Sequence, residues 1–235
     1  MKLAYFIYVL LSMCGVLVSS GADKHLFLLS GQSNMARMDP LKSFTPAIRE
    51  AFGSENVTVI KVAQKGQPIR RWYKGWEFGG TDEDAFEIGD IYDRLMAQLE
   101  GVDTKSYASI TFLWMQGERD AKEGLGEFYE QSLRGLIEQL KDDLGRDSLN
   151  FVIGRLSDSG FAKGENPAWR AVRNAHVAVA DADSRGAWVD TDDLNDGTRK
   201  NGKPWKYALH YTDEGYVIFG ERLAKSAIQL IESHR

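Results

Sequence analysis

Cysteine, proline and blocks of basic residues are all scarce in this sequence. Its 235 residues include one cysteine, Cys14, and five prolines. A chain with a single cysteine forms no internal disulfide, which excludes the small secreted domains that disulfides hold together. Lys and Arg number 29 against 34 Asp and Glu, so the formal net charge is −5. This balance, without a basic block, argues against a nucleic-acid partner held by phosphate neutralisation.

One long apolar run lies at the N terminus. A basic start precedes the apolar residues Leu3 to Val18, and small residues follow them up to Ala22. This layout predicts a secretory signal peptide over residues 1–22 that is cleaved after Ala22. The mature domain, 23–235, would then be secreted or periplasmic, with no stable membrane insertion and, since Cys14 is removed, no cysteine. Because the run approaches the length that spans a bilayer, an uncleaved membrane anchor is the alternative.

Short apolar runs alternate with amphipathic stretches through the rest of the chain. Runs rich in β-branched and aromatic residues predict five strands that are covered on both faces. These runs are His25 to Ser30, Val57 to Ala63, Ser109 to Met115, Leu149 to Leu156, and Gly186 to Asp190. Helical spacing and capping residues predict helices over Leu125 to Leu144, Ala168 to Ala182, and Thr212 to Ser233. The alternation predicts one α/β domain, with a parallel sheet covered by helices on both faces.

Residues suited to acyl transfer follow the predicted strands. Ser33 follows the first strand, Gly66 the second, Gln116 and Glu118 the third, and His210 precedes the last helix. The carboxyl ends of parallel strands meet at one edge of a sheet, so these residues should meet there. A serine becomes nucleophilic when an imidazole oriented by a carboxylate takes its proton, and amide donors stabilise the oxyanion. A serine at a helix start is usually a helix cap, and a lone histidine is usually structural. The acyl-transfer hypothesis therefore depends on all of these residues lying at the same edge of the sheet.

Four sequence blocks carry a resemblance to a known family. GQSNM at 31–35, WMQGERDA at 114–121 and LHYTDEGY at 209–216 resemble three conserved blocks of the SGNH hydrolase superfamily. VAQKGQPIRRW at 62–72 is similar to a fourth block. The closest resemblance is to the sialate O-acetylesterase-like branch, which includes the acetylxylan esterases of carbohydrate esterase family 6. It implies a flavodoxin-like three-layer α/β/α sandwich, and hydrolysis of acetyl esters on a saccharide without a metal or cofactor.

The resemblance also implies roles for individual residues. Ser33 matches the nucleophile and His210 the general base. Gly66 and Gln116 match the oxyanion-hole positions, together with the backbone amide of Ser33. One departure is Lys65, where the family often has glycine; it changes the turn or adds a cation near the substrate.

The second departure concerns the acid that orients His210. Many members of the superfamily carry Asp three residues before the histidine, but this chain has Tyr207 there. Some relatives use the Glu of the third block, which predicts Glu118 as the orienting acid; the alternative is that Glu118 only ties down a loop. Asp120 is predicted to hold neighbouring backbone. The competing carboxylates lie on the loop that leads to His210 and are Asp190, Asp192, Asp193 and Asp196.

An aromatic and basic segment just past the second strand suggests a sugar site. Arg71, Trp72 and Trp76 are predicted to form a saccharide subsite, because aromatic faces stack on sugar rings and arginine pairs with carboxylate or sulfate groups. The alternative is that the aromatic rings cover the end of the sheet.

The leading hypothesis is a carbohydrate O-acetylesterase that acts through a serine acyl-enzyme. An esterase for another small acyl group, an inactive glycan-binding relative and a flavodoxin-like electron carrier are the alternatives. The four histidines are scattered and no HExxH motif is present, so no metal site is predicted. The polymer, whether xylan, a sialoglycan or a sulfated polysaccharide, and the oligomeric state are not indicated by the sequence.

Overall fold

The computed structural model describes residues 23–78, 87–198, 202 and 204–234. The predicted signal peptide, 1–22, therefore lies outside the described residues. Within these ranges, no helix is both long and apolar enough to cross a membrane.

A five-stranded parallel sheet forms the centre of the fold, in the order β2-β1-β3-β4-β5. Its strands are β1 (His25–Gly31), β2 (Val57–Ala63), β3 (Ser109–Met115), β4 (Asn150–Gly154) and β5 (Gly186–Val189). All five predicted strands are confirmed, although β4 is shorter at both ends than the predicted run. A two-stranded antiparallel ribbon, β6 (Gly197–Thr198) with β7 (Pro204–Trp205), lies outside this sheet.

Helices connect and flank the strands. They are α1 (Ser33–Arg37), α2 (Phe44–Phe52), α3 (Asp90–Ala97), α4 (Glu118–Glu123), α5 (Gly126–Leu144), α6 (Pro167–Asp181) and α7 (Asp213–Ser233). The three predicted helices are confirmed as α5, α6 and α7. Side-chain caps fix two of their starts, because Asn166 accepts from the amide of Trp169 and Thr212 from that of Gly215. Short 3₁₀ turns occur at Pro40–Lys42, Ser54–Asn56, Ile69–Arg71, Thr104–Ser106 and Asp158–Phe161.

Helices cover both faces of the sheet. Consecutive side chains of β1, from Leu26 to Leu29, are fully buried although they point alternately to opposite faces. On the helix layers, α5 packs against α6 and α2 packs against α7. The predicted three-layer α/β/α architecture is confirmed, and its strand order is that of flavodoxin-like folds.

The ends of β1 and β3 approach each other unusually closely. Gly31 has a φ of 137°, and a Cβ built on it would lie 2.1 Å from the carbonyl oxygen of Met115. The next amide, that of Gln32, donates to the same oxygen at 2.8 Å. Glycine is thus required here. In this strand order the chain reverses direction across the sheet between β1 and β3, and such a switch point opens a crevice at the carboxyl edge.

Candidate active site

A cleft of about 1300 Å³ opens at this switch point. Four residues singled out in the sequence line it: Ser33, Gly66, Glu118 and His210. They come from four separate parts of the chain, and the parallel sheet brings them together by placing the ends of β1, β2 and β3 at one edge. A fifth contribution to the wall is the first turn of α6, including Trp169.

Ser33 is the first residue of α1, directly after β1. Its side chain is largely buried, and its hydroxyl makes no hydrogen bond to any described residue. The amides of a first helical turn have no acceptor within the helix, so the N–H of Ser33 is available to a ligand. Gly66 lies in a left-handed turn with a φ of 71°, which glycine adopts without strain.

His210 is half-buried in the cleft wall. Its imidazole makes no hydrogen bond or ion pair with the part of the chain that the structure describes. Burial lowers the pKa of His210, and the nearby charges of Arg37 and Lys65 lower it further. The imidazole is therefore neutral at neutral pH, the state in which it can accept a proton.

Polar side chains hold the backbone that leads to His210. The amide of Tyr207 donates to Oδ1 of Asp196 at 3.0 Å, and the side-chain amide of Asn195 donates to the carbonyl of Ala208 at 3.0 Å. Tyr207 has a φ of 53°, a left-handed conformation that is strained for a tyrosine. Asp196, one of the candidate acids, thus fixes the backbone of this loop.

Glu118 is the first residue of α4 and is almost fully buried beside the cleft. Its Oε1 accepts from Nδ2 of Asn34 at 2.9 Å, while its Oε2 is buried and has no hydrogen-bond partner. Burial raises the pKa of Glu118 to about 7. Hydrogen bonds from its own backbone amide and from Asn34 oppose this rise, and the charge of Asp120 adds to it. No hydrogen bond joins Glu118 to His210, so Oε2 is enclosed without a partner at the edge of the cleft.

The other candidate acids are committed elsewhere. Asp190 and Asp192 pair with Arg155, and Asp193 pairs with Arg222. These three carboxylates line a separate depression together with Arg222. Of the five carboxylates proposed to orient His210, Glu118 alone lines the cleft. Across the described ranges, no group of three or more His, Cys, Asp or Glu side chains is arranged to hold a metal ion.

Gln116 lies at the predicted edge of the sheet, but its side-chain amide does not face the cleft. Its side chain is fully buried behind the cleft, and its NH₂ group donates to the carbonyl of Gln67 at 2.9 Å and to Asp120. Its Oε1 accepts from the hydroxyl of Tyr129 at 2.8 Å. Asp120 also accepts from the amide of Ile69, so it holds neighbouring backbone as predicted. Because its N–H groups are committed to these acceptors, Gln116 offers no free donor to an oxyanion in this structure.

Gln32, the residue before Ser33, was not singled out in the sequence. It lines the cleft, and its Oε1 accepts from the amide of Arg119 at 3.2 Å and from Gln116 at 3.3 Å. These bonds fix the amide and leave its NH₂ without an acceptor among the described residues. The GQSN block could have identified Gln32 as a residue of the cleft, because Gln32 is adjacent to the predicted nucleophile, Ser33.

The structure does not support the predicted saccharide subsite, because its three side chains are buried away from the cleft. Arg71 is buried in an ion pair with Asp90, whose Oδ2 lies 2.6 Å from its Nη2. Trp72 is fully buried, and Trp76 is 6% exposed and packs edge-on against Phe78. Side chains buried in this way cannot stack on a sugar, and none of the three lines the cleft. Trp72 instead fits the alternative interpretation, in which the aromatic rings cover the end of the sheet.

Cations surround the cleft although the chain as a whole is acidic. Its described lining includes two carboxylates, Glu118 and Glu127. The lining cations are Arg37, Lys65, Arg119, Lys122 and Lys163. Arg119 pairs with Glu123, whereas the other four make no ion pair with the described residues. Lys65, where the family often has glycine, therefore adds a positive charge to the cleft.

Comparisons with known proteins agree with this architecture. A structure from Arabidopsis thaliana superposes with a TM-score of 0.64 at 18% identity, over 88% of this chain and 99% of that one. A carbohydrate acetylesterase from Xanthomonas citri gives 0.66 at 15% identity, over 88% of this chain and 57% of that one. The native aryl esterase of M. smegmatis gives 0.51 at 12% identity, over 88% and 99%. At such identities the likeness establishes the fold.

The sequence itself was compared with curated proteins and with family models. No curated protein matches it. The family model described as "carbohydrate esterase, sialic acid-specific acetylesterase" matches residues 36–229, which is most of the chain. The chain therefore belongs to this carbohydrate esterase family and is an ester hydrolase.

Proposed function

We propose that the protein is a carbohydrate O-acetylesterase that forms an acetyl-enzyme on Ser33. The proposal rests on the shared cleft, which is lined by Ser33, His210 and Glu118 beside the turn at Gly66. Burial and nearby cations lower the pKa of His210, and Oε2 of Glu118 has no hydrogen-bond partner. A nucleophile, a base and a carboxylate at one crevice are the parts that ester hydrolysis needs.

The reaction would proceed in two halves. His210 takes the hydroxyl proton of Ser33 as Oγ attacks the acetyl carbonyl carbon, and the amides of Ser33 and Gly66 stabilise the oxyanion. The tetrahedral intermediate collapses, the imidazolium returns its proton to the sugar oxygen, and the deacetylated sugar leaves. His210 then takes a proton from water as that water attacks the acetyl carbon. The second tetrahedral intermediate collapses, the imidazolium returns the proton to Oγ of Ser33, and the acetic acid that leaves ionises to acetate.

Glu118 would orient His210 through its second oxygen. Oε2 lacks a partner in this structure, and an imidazole N–H is the donor it would take. Catalytic hydrogen bonds in unliganded enzymes are often open and close when substrate binds. An ionised Glu118 stabilises the imidazolium that forms when Ser33 loses its proton.

The cations around the cleft favour an anionic sugar. An acetyl ester carries no charge, so four unpaired cations near it have no role in binding the acyl group itself. They would attract carboxylate or sulfate groups on the same saccharide. Of the polymers that the sequence left open, a sialoglycan or a sulfated polysaccharide therefore fits this cleft better than neutral xylan.

An exposed aromatic residue on the loop that leads to His210, three positions before it, would contact the sugar ring. Tyr207 is 48% exposed and Leu209, which lines the cleft, is 46% exposed. The bond from its amide to Asp196 holds Tyr207 in its strained conformation. Tyr207 itself is not among the lining residues, but Leu209, two positions further along the same loop, lines the cleft, whereas Trp72 and Trp76 are buried; we therefore propose the saccharide contact at this loop.

The test is release of acetate by the chain that begins at Asp23. Substrates are a chromogenic acetate ester and a panel of acetylated polysaccharides, neutral and anionic. Ser33→Ala should abolish turnover, whereas Ser159→Ala, which removes another serine hydroxyl from the same cleft, should retain it. If the folded wild type releases no acetate from any ester, the inactive glycan-binding alternative replaces this proposal. Tyr207 in place of the usual Asp is the feature that would explain such inactivity.

A further inference from the structure

Asn34 lies next to the nucleophile and is fully committed to hydrogen bonds. Its Nδ2 donates to Oε1 of Glu118 at 2.9 Å and to the carbonyl of Leu209 at 3.1 Å. Its Oδ1 accepts from the hydroxyl of Tyr216 at 2.9 Å. The side chain is 1% exposed, so water is not an alternative partner for these bonds.

Through these bonds and the backbone, Asn34 connects three catalytic candidates: Ser33, Glu118 and His210. Asn34 follows Ser33 in α1, binds the carboxylate of Glu118 on α4, and binds the residue immediately before His210. We propose that Asn34 is a positioning residue that sets the carboxylate of Glu118 and the backbone of His210 relative to Ser33. This inference rests on the proposed function of the same cleft.

The residue type is suited to that position. A primary amide supplies two donors and an acceptor, and Asn34 uses both donor directions and the acceptor. Aspartate, which has the same shape, would lose both donors and place a second carboxylate against Glu118. Tyr216, on α7, fixes which way the amide points, because its hydroxyl donates to the oxygen and leaves the NH₂ facing Glu118 and Leu209.

One consequence concerns the protonation of Glu118. The hydrogen bond from Asn34 is one of the contacts that keep the pKa of Glu118 from rising further. The other titratable groups that interact with this carboxyl are Asp120 on its own helix and the phenols of Tyr129, Tyr211 and Tyr216. The phenols have raised pKa values and stay neutral, so they supply no compensating charge. Loss of the Asn34 donor should therefore raise the pKa of Glu118.

The first measurement is steady-state kinetics of Asn34→Ala on a chromogenic acetate ester. We expect kcat to fall about 100-fold with little change in KM, since a small misplacement of reacting groups has an effect of this size. The acid limb of kcat/KM should move to higher pH. Tyr216→Phe, which keeps the donors of Asn34 but frees its oxygen, should show the same changes to a smaller extent.

The second measurement does not depend on turnover. In the Ser33→Ala background, carbon-13 NMR of the carboxyl of Glu118 should give a higher pKa with Asn34→Ala than without it. Asn150→Ala, which removes the acceptor of a part-buried hydrogen bond from Arg185 near the opposite edge of the sheet, is the control for general destabilisation.

The two measurements separate the inference from the proposed function. If the wild type has no esterase activity but the NMR shift occurs, the proposed function fails and the contact of Asn34 with Glu118 stands. The inference is overturned if Asn34→Ala is folded and leaves both the acid limb and the pKa of Glu118 unchanged. It is also overturned if Asn150→Ala reproduces the same kinetic losses and the same pH shift.

Discussion

The carboxylate of Glu118 is held by Asn34 on one oxygen and by nothing on the other. Oε1 lies 2.9 Å from Nδ2 of Asn34, and Oε2 is buried without a hydrogen-bond partner. A buried acceptor without a donor destabilises the folded state, and it does so most when it is charged. Active sites are where such unfavourable arrangements concentrate. The fold therefore tolerates an unsatisfied carboxylate at the edge of the cleft.

Replacement of this carboxylate should separate activity from stability. Glu118→Gln keeps an acceptor for Asn34 but removes the charge, so kcat should fall by about 100-fold or more. Because the folded-state pKa of Glu118 is raised to about 7, its favourable contribution is present at acidic pH and lost as pH rises through about 7. Glu118→Gln should therefore have a free energy of unfolding that is higher than that of the wild type by roughly 1–3 kcal/mol at about pH 8.5. This difference should narrow below about pH 7 and close only near pH 4.5, the ordinary pKa that the glutamate has in the unfolded chain.

Urea unfolding at about pH 8.5 and near pH 4.5, together with turnover of a chromogenic acetate, checks this prediction. Asp193→Asn is the matched control, because it removes a carboxylate that pairs with Arg222 away from the cleft. It should leave turnover unchanged. Near-normal turnover by Glu118→Gln would show that Glu118 only ties down a loop.

The pH dependence of activity should respond to Lys65. Lys65 and Arg37 lower the pKa of His210, in addition to burial. His210 must be unprotonated to act as a base and Glu118 must be ionised to orient it, so activity is lost at acidic pH as either group takes up a proton. Lys65→Gln removes one of these charges, and the acid limb of kcat/KM on a neutral ester should then move to higher pH.

The comparison for this prediction is Lys225→Gln, which makes the same charge change beside a different depression. Its acid limb should coincide with that of the wild type. A limb that moves to lower pH in Lys65→Gln would contradict the assignment of His210 as the base.

Trp72 should behave as a core residue. Its indole N–H donates to Oγ of Ser30 at 2.8 Å, and its ring packs edge-on against Trp114 at a centroid distance of 5.2 Å. Trp72→Ala should reduce the free energy of unfolding by about 3–5 kcal/mol. Whatever protein remains folded should use polymeric and small substrates in the same ratio as the wild type.

Tyr207→Ala should give the opposite pattern. Its ring is largely exposed, so we expect the melting temperature to change little and KM to rise for the polymer but not for a small ester. Selective loss of polymer use in Trp72→Ala, with Tyr207→Ala unaffected, would restore the subsite that the sequence analysis predicted.

The sequence predicted the sheet because its strands are covered on both faces. Residues from Leu26 to Leu29 are all buried, which makes the run apolar without alternation and easy to recognise. The placement of Ser33, Gly66 and Glu118 along one cleft also followed from the sequence, since the carboxyl ends of parallel strands share one edge. These are properties of backbone topology, which hydrophobic patterning largely determines.

The direction in which a polar or aromatic side chain points was not predictable. After β2 the chain forms a 3₁₀ turn at Ile69–Arg71, and this turn directs Trp72 into the core rather than toward the cleft. Gln116 was placed correctly at the edge of the sheet, but Asp120 and the carbonyl of Gln67 compete for its amide. Such competition between acceptors depends on distances that residue spacing alone does not give.

Substrate charge gives the last prediction, because the cleft is cationic in an acidic protein. Lys122 and Lys163 line the cleft, are exposed, and make no ion pair with the described residues, so salt screens their attraction for an anionic sugar. KM for an acetylated anionic saccharide should rise between about 0.1 M and about 1 M salt, over which the Debye length falls from about 10 to about 3 Å. The double variant Lys122→Gln/Lys163→Gln should have the higher KM already at low salt and a weaker salt dependence. Acetylated xylan, which has no charge to screen, should show neither effect. If xylan is hydrolysed with the lower KM at both salt concentrations, the cations do not select the substrate and the preference for an anionic sugar is wrong.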